Sequence, residues 1–250
     1  MRNALVRFLG WRATILQGDP TVVDRWRWLK RHLRAGPLRT FDAGCGSGAF
    51  TLYAARVGNH GVGLSFDPGQ IDRARARAKI LGLDDSTEFH VGDLRTLDQH
   101  GDSLGRFDQV IAFETIEHIR NDQKLVNDLA ALLEPGGAML LTAPYKHHHA
   151  LWGERVSDIE DGGHVRWGYS YEEIRALVHQ CGLEVLAEES ISGLISQKLA
   201  SLQFALGRMN ARMAWVLTFP LRLLHPLDGV VTRLTGYPPL SIGVVARKRL

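Results

Sequence analysis

The sequence predicts an α/β protein: a doubly wound sheet of seven mostly parallel strands, with a helical insertion before the last strand. Three observations carry this prediction. Short apolar runs alternate with helical patterns along the middle of the chain, which is typical of a parallel sheet covered by helices. A glycine-rich loop directly follows the first of these runs, as in folds that bind nucleotides at the carboxyl edge of the sheet. A long apolar segment of helical character separates the last two runs.

The predicted strands are short apolar runs bounded by turn residues. They lie at about 39–43, 61–66, 87–91, 107–113, 137–143, 183–188 and 242–247. Helices are predicted between them where apolar residues recur every three or four positions, as at 71–81 and 125–132. Ser170 and Glu173 have the spacing of a capping box, in which each side chain satisfies a free backbone N–H at the start of a helix. A helix should therefore begin at 171 and end before Gly182.

Residues 191–236 are too long for a tight hairpin and too apolar for a loop. Leucines recur there at helical spacing, and Pro220 and Pro226 interrupt the run. We interpret the segment as a helical lid over a substrate pocket, with membrane contact as the alternative, because basic amphipathic helices also lie in lipid interfaces. The chain then divides into a basic N-terminal helical segment, a core, this insertion and the last strand of the core sheet, at 1–36, 37–190, 191–236 and 237–250.

Charge is distributed unevenly along the 250 residues, although the formal net charge is only +3. Residues 1–40 carry nine Lys/Arg against two Asp/Glu, and residues 190–250 carry eight against one, so each flank has a charge of +7. The middle, 41–189, carries 13 basic and 24 acidic residues, or −11. Basic flanks suggest an anionic partner such as a membrane surface or nucleic acid, and solvated arginines on surface helices are the plain alternative.

The composition is that of an ordinary globular protein, 45% hydrophobic and 23% charged. Two cysteines, Cys45 and Cys181, are too few for a disulfide scaffold and suit a reducing compartment. The sequence has no uncharged apolar run of membrane-spanning length, and arginines interrupt the first residues where a signal peptide would be apolar. We therefore expect a cytoplasmic protein, peripheral at the membrane if the flanks contact lipid. The sequence indicates no oligomeric state.

The glycine loop, FDAGCGSGA at 41–49, lets the chain turn tightly and lets a ligand approach bare backbone. Its spacing also satisfies the dinucleotide pattern, so a dehydrogenase is an alternative. Two features argue against a dinucleotide. Asp42 places a carboxylate next to the loop, where a pyrophosphate would be repelled but a cationic ligand tolerated. The second strand ends at Ser65 and Phe66, without the acid that a ribose would need there.

The chain resembles the class I S-adenosylmethionine-dependent methyltransferases of the broad small-molecule group called type 11. The similarity covers about 37–190 and rests on the Rossmann-like glycine loop, VGD at 91–93, FDQVIAFETIEHI at 107–119 and LLEPGGAMLLTAP at 132–144. The resemblance implies that S-adenosylmethionine is the cofactor and that the last strand runs antiparallel. By position, it implies contacts to the methionine part from Asp42, Gly44, Cys45 and Gly46, to the adenine from Asp93 and Leu94, and nearby from Phe113 and Glu114.

One stretch departs from most of that family, which has Asp or Glu where this chain has Ser65. GLSFDPGQ at 63–70 resembles the second-strand motif of the cyclopropane-fatty-acid-synthase branch. That resemblance implies cofactor contacts from Ser65, Phe66 and Gln70. One hydroxyl in place of a bidentate carboxylate should weaken ribose binding by about 1–2 kcal/mol. Asp67 is the alternative residue for the ribose.

The candidate chemical groups follow the fourth strand. If a helical turn begins there, Glu114, Glu117 and His118 share a face, and His164 lies further along the chain. We assign Glu117, His118 and His164 to catalysis, with one histidine as the base that an oxygen acceptor usually needs. The ubiquinone-pathway and small-RNA O-methyltransferases have a similar set that binds a divalent cation. Such a cation is an alternative here that we do not favour, and we assign no metal ligand.

A run of three histidines, 147–149, follows the fifth strand. Consecutive side chains cannot all face one site, so one should point inward and the run should not form a metal cage.

Together these features predict a methyltransferase acting on a hydrophobic small molecule or lipid-like intermediate, with oxygen methylation favoured. Membrane-lipid C-methylation or cyclopropanation is the alternative. RNA methylation ranks lower, because the chain has no evident aromatic platform for stacking bases, so a nucleic-acid partner is not expected.

Overall fold

The computed structural model describes residues 2–250, apart from the side chains of Arg2, His100 and Asp102. Within that range seven strands form a single sheet in the order β3-β2-β1-β4-β5-β7-β6. The strands are β1 (Arg39–Ala43), β2 (His60–Ser65), β3 (Thr87–Val91), β4 (Phe107–Phe113), β5 (Leu133–Pro144), β6 (Leu183–Ile191) and β7 (Ser241–Lys248). β7 runs antiparallel to both of its neighbours, and the remaining pairs are parallel. The predicted fold class is therefore confirmed.

Eleven α-helices lie within the described residues. They are α1 (Arg2–Leu9), α2 (Arg12–Leu16), α3 (Thr21–His32), α4 (Ala49–Arg56), α5 (Pro68–Leu81), α6 (Leu97–Leu104), α7 (Asp122–Ala131), α8 (Tyr171–Gln180), α9 (Leu194–Gly207), α10 (Ala211–Thr218) and α11 (Asp228–Thr235). The capping box is confirmed: Ser170 Oγ accepts from the Glu173 N–H at 3.2 Å, and the Glu173 carboxylate accepts from the Ser170 N–H at 2.7 Å. None of the described helices combines the length and apolarity needed to cross a bilayer.

Two strands extend three or more residues beyond their predicted bounds at one end. β5 begins at Leu133, which pairs with Phe107 before the register shifts across the two glycines that follow. β6 continues to Ile191, which pairs with Ser241 at the start of β7. In both places the extra residues are held by a neighbouring strand, so backbone pairing extends the strand beyond the apolar run.

Apolar side chains pack against both faces of the sheet. On one face, α7 and α8 bury Leu125, Leu129 and Val178. On the other, α3 and α4 bury Trp28 and Leu52. Each such side chain contributes about 1.5–3 kcal/mol to stability when fully buried. The sheet thus lies between two helical layers that cover its faces. Its carboxyl edge lies outside these layers, where a ligand site can form.

The insertion lies at that carboxyl edge, and the N-terminal segment reaches the same edge where Arg25 faces Glu114. The insertion, residues 191–236, leaves the sheet at the end of β6 and returns at the start of β7, opposite Pro144 at the end of β5. It contacts the N-terminal segment directly: Trp215 Nε1 donates to the Leu16 carbonyl at 2.7 Å. The segment between α10 and α11, which holds the two prolines, is a 3₁₀ helix over 220–227, so the predicted interruption is confirmed.

Candidate functional site

The loop after β1 owes its shape to glycines in the left-handed region. Gly44 has φ +79°, and a Cβ there would come within 2.9 Å of Thr115 Oγ1. Gly46 has φ +52°, and a Cβ there would meet nothing within 4 Å. A side chain at 44 would collide with the turn after β4, whereas one at 46 would project into open space above the sheet edge. The loop therefore presents bare backbone to a ligand.

A cavity of about 450 Å³ opens beside this loop, along the carboxyl ends of β1 to β4. Nine of the residues predicted from the sequence line it: Gly44, Gly46, Ser65, Phe66, Gln70, Asp93, Leu94, Glu114 and His118. Sequence reasoning did not assign Arg95, Thr115, Glu160 or Asp161, which also line it. The residues from the loop at 160–162 carry no motif, so only the fold brings them to this edge.

The cavity wall is acidic. Its charged side chains are one guanidinium and five carboxylates, those of Arg95, Asp67, Asp93, Glu114, Glu160 and Asp161. Such a wall suits a ligand that carries cationic groups and disfavours a pyrophosphate. S-adenosylmethionine, with its ammonium and sulfonium, fits this charge and the bare glycine backbone, whereas a dinucleotide does not.

Three predicted cofactor residues do not line the cavity. Asp42 is 2% exposed, and its Oδ2 accepts from the Thr51 N–H at 2.9 Å and the Thr51 hydroxyl at 2.6 Å. Burial raises the pKa of Asp42 to about 6. Cys45 is also buried, and burial together with the Asp42 charge raises the pKa of its thiol. These side chains lie behind the loop, where Asp42 ties it to the first turns of α4.

Phe113 is the third of these residues, and its ring lies within the core. The centroids of the Phe50 and Trp28 rings are 4.9 Å and 5.6 Å from it. The Phe113 ring therefore contacts other aromatic rings, and it can affect a ligand only indirectly, by fixing the end of β4.

The ends of β2 and β3 already carry local hydrogen bonds. Asp67 caps α5, accepting from the backbone N–H groups of Gly69 at 2.8 Å and Gln70 at 3.3 Å. Ser65 Oγ accepts weakly from the Asp67 N–H at 3.5 Å. Asp93 pairs with Arg95, whose Nη2 lies 2.5 Å from Oδ2, and this hydrogen bond lowers the pKa of Asp93. Asp93 is therefore an ionised acceptor at neutral pH.

Glu114 stands at the end of β4 with a left-handed backbone, φ +47°, a conformation that is uncommon for a residue other than glycine. Its carboxylate accepts from Thr142 Oγ1 at 2.8 Å and from Ser241 Oγ at 3.1 Å, and it faces the Arg25 guanidinium at 3.5 Å. Strand ends and the N-terminal segment thus fix this side chain together. Backbone strain of this kind clusters at functional sites.

A second cavity, of about 320 Å³, lies on the other side of Glu114, which lines both. Its wall is mixed. Five apolar side chains line it, those of Pro144, Leu151, Trp152, Phe204 and Leu240, and its polar members besides Glu114 are Asp19, Thr21, Arg25, Glu154 and His164. Small-molecule sites combine apolar walls with converging polar groups, as this cavity does. Sequence reasoning missed Arg25 and Glu154, because they come from a flank and from a loop without a motif.

The three predicted catalytic residues lie together between the two cavities. Glu117 Oε1 is 3.8 Å from His118 Nε2 and 3.9 Å from His164 Nε2, and the rings of the two histidines meet edge to face. Glu117 is fully buried, and neither of its oxygens has a hydrogen-bond partner within the described part of the chain. Burial, with the negative charge of Glu114, raises the pKa of Glu117 well above its usual range.

This cluster could also hold a cation. One ligand atom from each of Glu117, His118 and His164 lies within 4.8 Å of the others. A carboxylate and two imidazoles are donors that Mn²⁺ or Zn²⁺ accept. A buried carboxyl group with no hydrogen-bond partner is costly unless it is protonated or binds an ion, so both states fit the geometry.

Among the three histidines at 147–149, only His148 is buried, as predicted. Its ring stacks on Trp167 at 4.9 Å and faces the Glu154 carboxylate at 3.0 Å. The run therefore forms no cage, and its inward member positions a carboxylate of the second cavity.

Comparisons with known proteins identify relatives of this chain. The methyltransferase domain family matches residues 24–188. The 27-O-demethylrifamycin SV methyltransferase of Amycolatopsis mediterranei is 31% identical over 72% of this chain and 65% of its own length. The sterol 24-C-methyltransferase of Saccharomyces cerevisiae is 27% identical over 65% of this chain and 43% of its own length. The chain thus spans less than two thirds of either relative.

A solved structure shows the same fold. The crystal structure of coclaurine N-methyltransferase, bound to N-methylheliamine and S-adenosylhomocysteine, superimposes with a TM-score of 0.62 and 17% sequence identity. The superposition covers 91% of this chain and 72% of that one. The match extends beyond the sheet to most of the chain.

Proposed function

This chain belongs to the methyltransferase domain family, which comprises class I S-adenosylmethionine-dependent enzymes, and we propose that it methylates a hydrophobic small-molecule or lipid-like acceptor, at oxygen in preference to other atoms. One observation carries the proposal: an acidic cavity beside the glycine loop meets, at Glu114, a second cavity that joins five apolar side chains to a histidine. A cationic cofactor suits the first, and a hydrophobic acceptor suits the second.

The residues that would hold S-adenosylmethionine are those of the larger cavity. The bare backbone of Gly44 and Gly46 suits the close approach of its methionine part. Ser65 and Gln70 suit the ribose, with Asp67 as the alternative, and Phe66, Asp93 and Leu94 suit the adenine end. When bound, the cofactor supplies a methyl group made electrophilic by the sulfonium. Asp42, Cys45 and Phe113 act from behind the loop and strand by fixing their positions.

His164 is the proposed base. It lines the acceptor cavity, and burial, followed by the nearby charge of His118, lowers its pKa. The imidazole is therefore neutral at pH 7 and free to take the proton of an acceptor hydroxyl as the oxygen is methylated. Burial raises the pKa of Glu117 and so favours its neutral form, which reduces the negative charge that Glu117 itself places beside the two imidazoles. His118 lines the cavity that would hold the cofactor, and its ring meets the His164 ring edge to face.

Cation-assisted O-methylation is a second candidate, favoured by the buried Glu117 carboxyl group that lacks a hydrogen-bond partner. Glu117, His118 and His164 would hold the ion. When bound, it would lower the pKa of an acceptor hydroxyl.

C-methylation of a membrane lipid is the remaining candidate. The yeast relative is a sterol C-methyltransferase, and the apolar side chains of the second cavity would suit a sterol-like body. This candidate differs from O-methylation in the atom that loses a proton, which is a carbon of the acceptor and not an oxygen.

Transfer of labelled methyl groups tests the proposal. The acceptors are apolar phenols and matched apolar amines, given to the wild-type protein and to His164→Ala. We expect ether products from the phenols, and a loss of about 10²–10⁴ in rate in the variant. Faster labelling of the amines, with no effect of His164→Ala, would contradict oxygen as the preferred acceptor.

A further inference from the structure

The helices of the insertion have an inverted distribution of polar and apolar side chains. From 213 to 234, apolar side chains face outward; those of Val216, Leu223, Leu227, Val230 and Leu234 are between 53% and 82% exposed. In the same stretch Thr218, Arg222, His225 and Asp228 are all buried. Helices of water-soluble proteins normally turn the apolar face inward. We call the exposed apolar side chains of 209–234 the outer face.

Each of these four buried polar side chains has at least one hydrogen-bond partner, so the inversion is built into the packing. Two of their atoms, Arg222 Nε and His225 Nε2, have no partner within the described residues. Arg222 donates to the Leu16 carbonyl at 2.8 Å and the Gly18 carbonyl at 2.9 Å. Asp228 accepts from the Gly193 and Ile195 N–H groups, both at 2.7 Å. The Arg222 bonds anchor the insertion to the N-terminal segment, and the Asp228 bonds join α11 to the start of α9 within the insertion. Rotating the helices to bury the leucines would break all of them.

The charge around the outer face has one sign. The exposed charged residues of 194–236 are Lys198, Arg208, Arg212 and Arg233, and the one acid of that stretch, Asp228, is buried. A second copy of the chain meeting this face symmetrically would bring like charges together with no carboxylate from the stretch to neutralise them. A surface with anionic headgroups above an apolar layer matches both features.

The acceptor cavity opens toward the same helices. It shares Trp152, Gly153 and Phe204 with an outer cleft of about 720 Å³. Arg155 and Arg208 line that cleft. A hydrophobic acceptor could thus pass from the surface of α9 and α10, between basic residues, to the cavity at Glu114.

We propose that the outer face docks on an anionic lipid bilayer and that the acceptor enters from that bilayer through the cleft at Trp152 and Phe204. The docking follows from the surface alone, and the entry of the acceptor rests on the proposed function. Apolar side chains of 209–234 insert among the lipids, and the four exposed basic residues contact the headgroups.

Flotation with vesicles tests the docking without cofactor or acceptor. Vesicles of phosphatidylcholine with phosphatidylserine should bind the protein, and pure phosphatidylcholine vesicles should bind it more weakly, as should the anionic vesicles at high salt. The double variant Leu223→Asp/Leu227→Asp should reduce binding to anionic vesicles at least about tenfold, because both leucines lose their burial in lipid. Leu250→Asp is the matched control, an exposed leucine at the opposite edge of the sheet near Gly136, and should bind like the wild type.

Three outcomes would overturn the proposal: no flotation of the wild type, equal flotation of the double variant, or a dimer in sedimentation that the double variant abolishes while vesicles bind nothing. S-adenosylhomocysteine binding by each variant is measured in parallel. That binding needs no vesicle. A protein that binds S-adenosylhomocysteine but does not float with vesicles would reject the docking alone. A protein that floats but does not bind S-adenosylhomocysteine would reject the proposed function alone.

Discussion

Glu154 Oε1 lies 3.7 Å from His164 Nδ1, and this carboxylate moderates the ionisation of the proposed base. Burial lowers the pKa of His164 below its ordinary value of 6.5, while the Glu154 charge acts in the opposite direction. The acid limb of kcat/KM should therefore lie below pH 6.5, since only the neutral imidazole accepts a proton. Removing the Glu154 charge should move this limb further toward acid.

The pH profile of Glu154→Gln checks this directly, with Glu184→Gln, an exposed acid on β6, as control. The control should keep the wild-type profile. An acid limb above pH 6.5 in the wild type, or an unmoved limb in Glu154→Gln, would remove His164 as the group that titrates.

Asp93→Ala should weaken S-adenosylhomocysteine binding at least about tenfold, or about 1.4 kcal/mol, because the adenine amine loses its acceptor. Asp98→Ala is the matched control: Asp98 is likewise an acid paired with a cation, Lys124, at 2.5 Å, but it does not line the cavity. Calorimetry measures both. Equal affinities of the two variants would mean that Asp93 serves only to begin the helical turn at 94–96.

Glu117→Gln should stabilise the protein at neutral and alkaline pH. The pKa of Glu117 is raised in the folded state above its ordinary 4.5, so its contribution to stability is full at low pH and is lost as the pH rises through the folded pKa. The neutral amide avoids this loss. Denaturant unfolding should show the largest gain at pH 8 and a shrinking gain toward pH 4.5; a gain that does not depend on pH would contradict a protonated Glu117.

Chelation distinguishes the two proposed roles of these residues, His164 as a general base and the cluster as a cation site. With His164 as base, we expect the methyl transfer rate to survive EDTA. A rate abolished by EDTA and restored by Mn²⁺ or Zn²⁺ in the wild type, but not in Glu117→Gln, would instead favour the cation.

Arg222→Met should loosen the insertion. The substitution keeps the length of the buried side chain but leaves the Leu16 and Gly18 carbonyls without their donor, at a cost of about 2–4 kcal/mol. Hydrogen exchange should lose protection over α9 to α11, while the core sheet keeps it. Arg212→Met, at an exposed position of α10, should leave exchange unchanged. Unaltered protection in Arg222→Met would show that other contacts hold the insertion.

The sequence predicts the sheet well because its inner strands, such as β1, β2 and β4, are buried on both faces and therefore appear as short apolar runs. It also identifies the backbone of the glycine loop, since positive φ at Gly44 and Gly46 restricts the residue type. It cannot tell which way a side chain points. Asp42 faces Thr51 within the protein, and Phe113 faces other aromatic rings, although each lies beside the loop or strand end that carries a motif.

The acceptor cavity was beyond sequence reasoning for a different reason. Arg25 and Glu154 are far apart along the chain, and only the packing of α3 and a loop against the strand ends brings them together. The inverted face of the insertion has a visible pattern, the polar positions 218, 222, 225 and 228, but the partners of these side chains lie in other segments. Because the sequence does not reveal those partners, the same leucines are equally compatible with a lid whose apolar side chains pack inward and with a helix face exposed at the surface.

Calorimetry of the wild-type protein with S-adenosylhomocysteine and with NAD is the most direct test of the central claim that the acidic cavity at the glycine loop holds S-adenosylmethionine. We predict binding of S-adenosylhomocysteine at a single site, and no heat from NAD under the same conditions, because the carboxylates of that cavity repel a pyrophosphate. Tight binding of NAD, with none of S-adenosylhomocysteine, would contradict the assignment of the cavity.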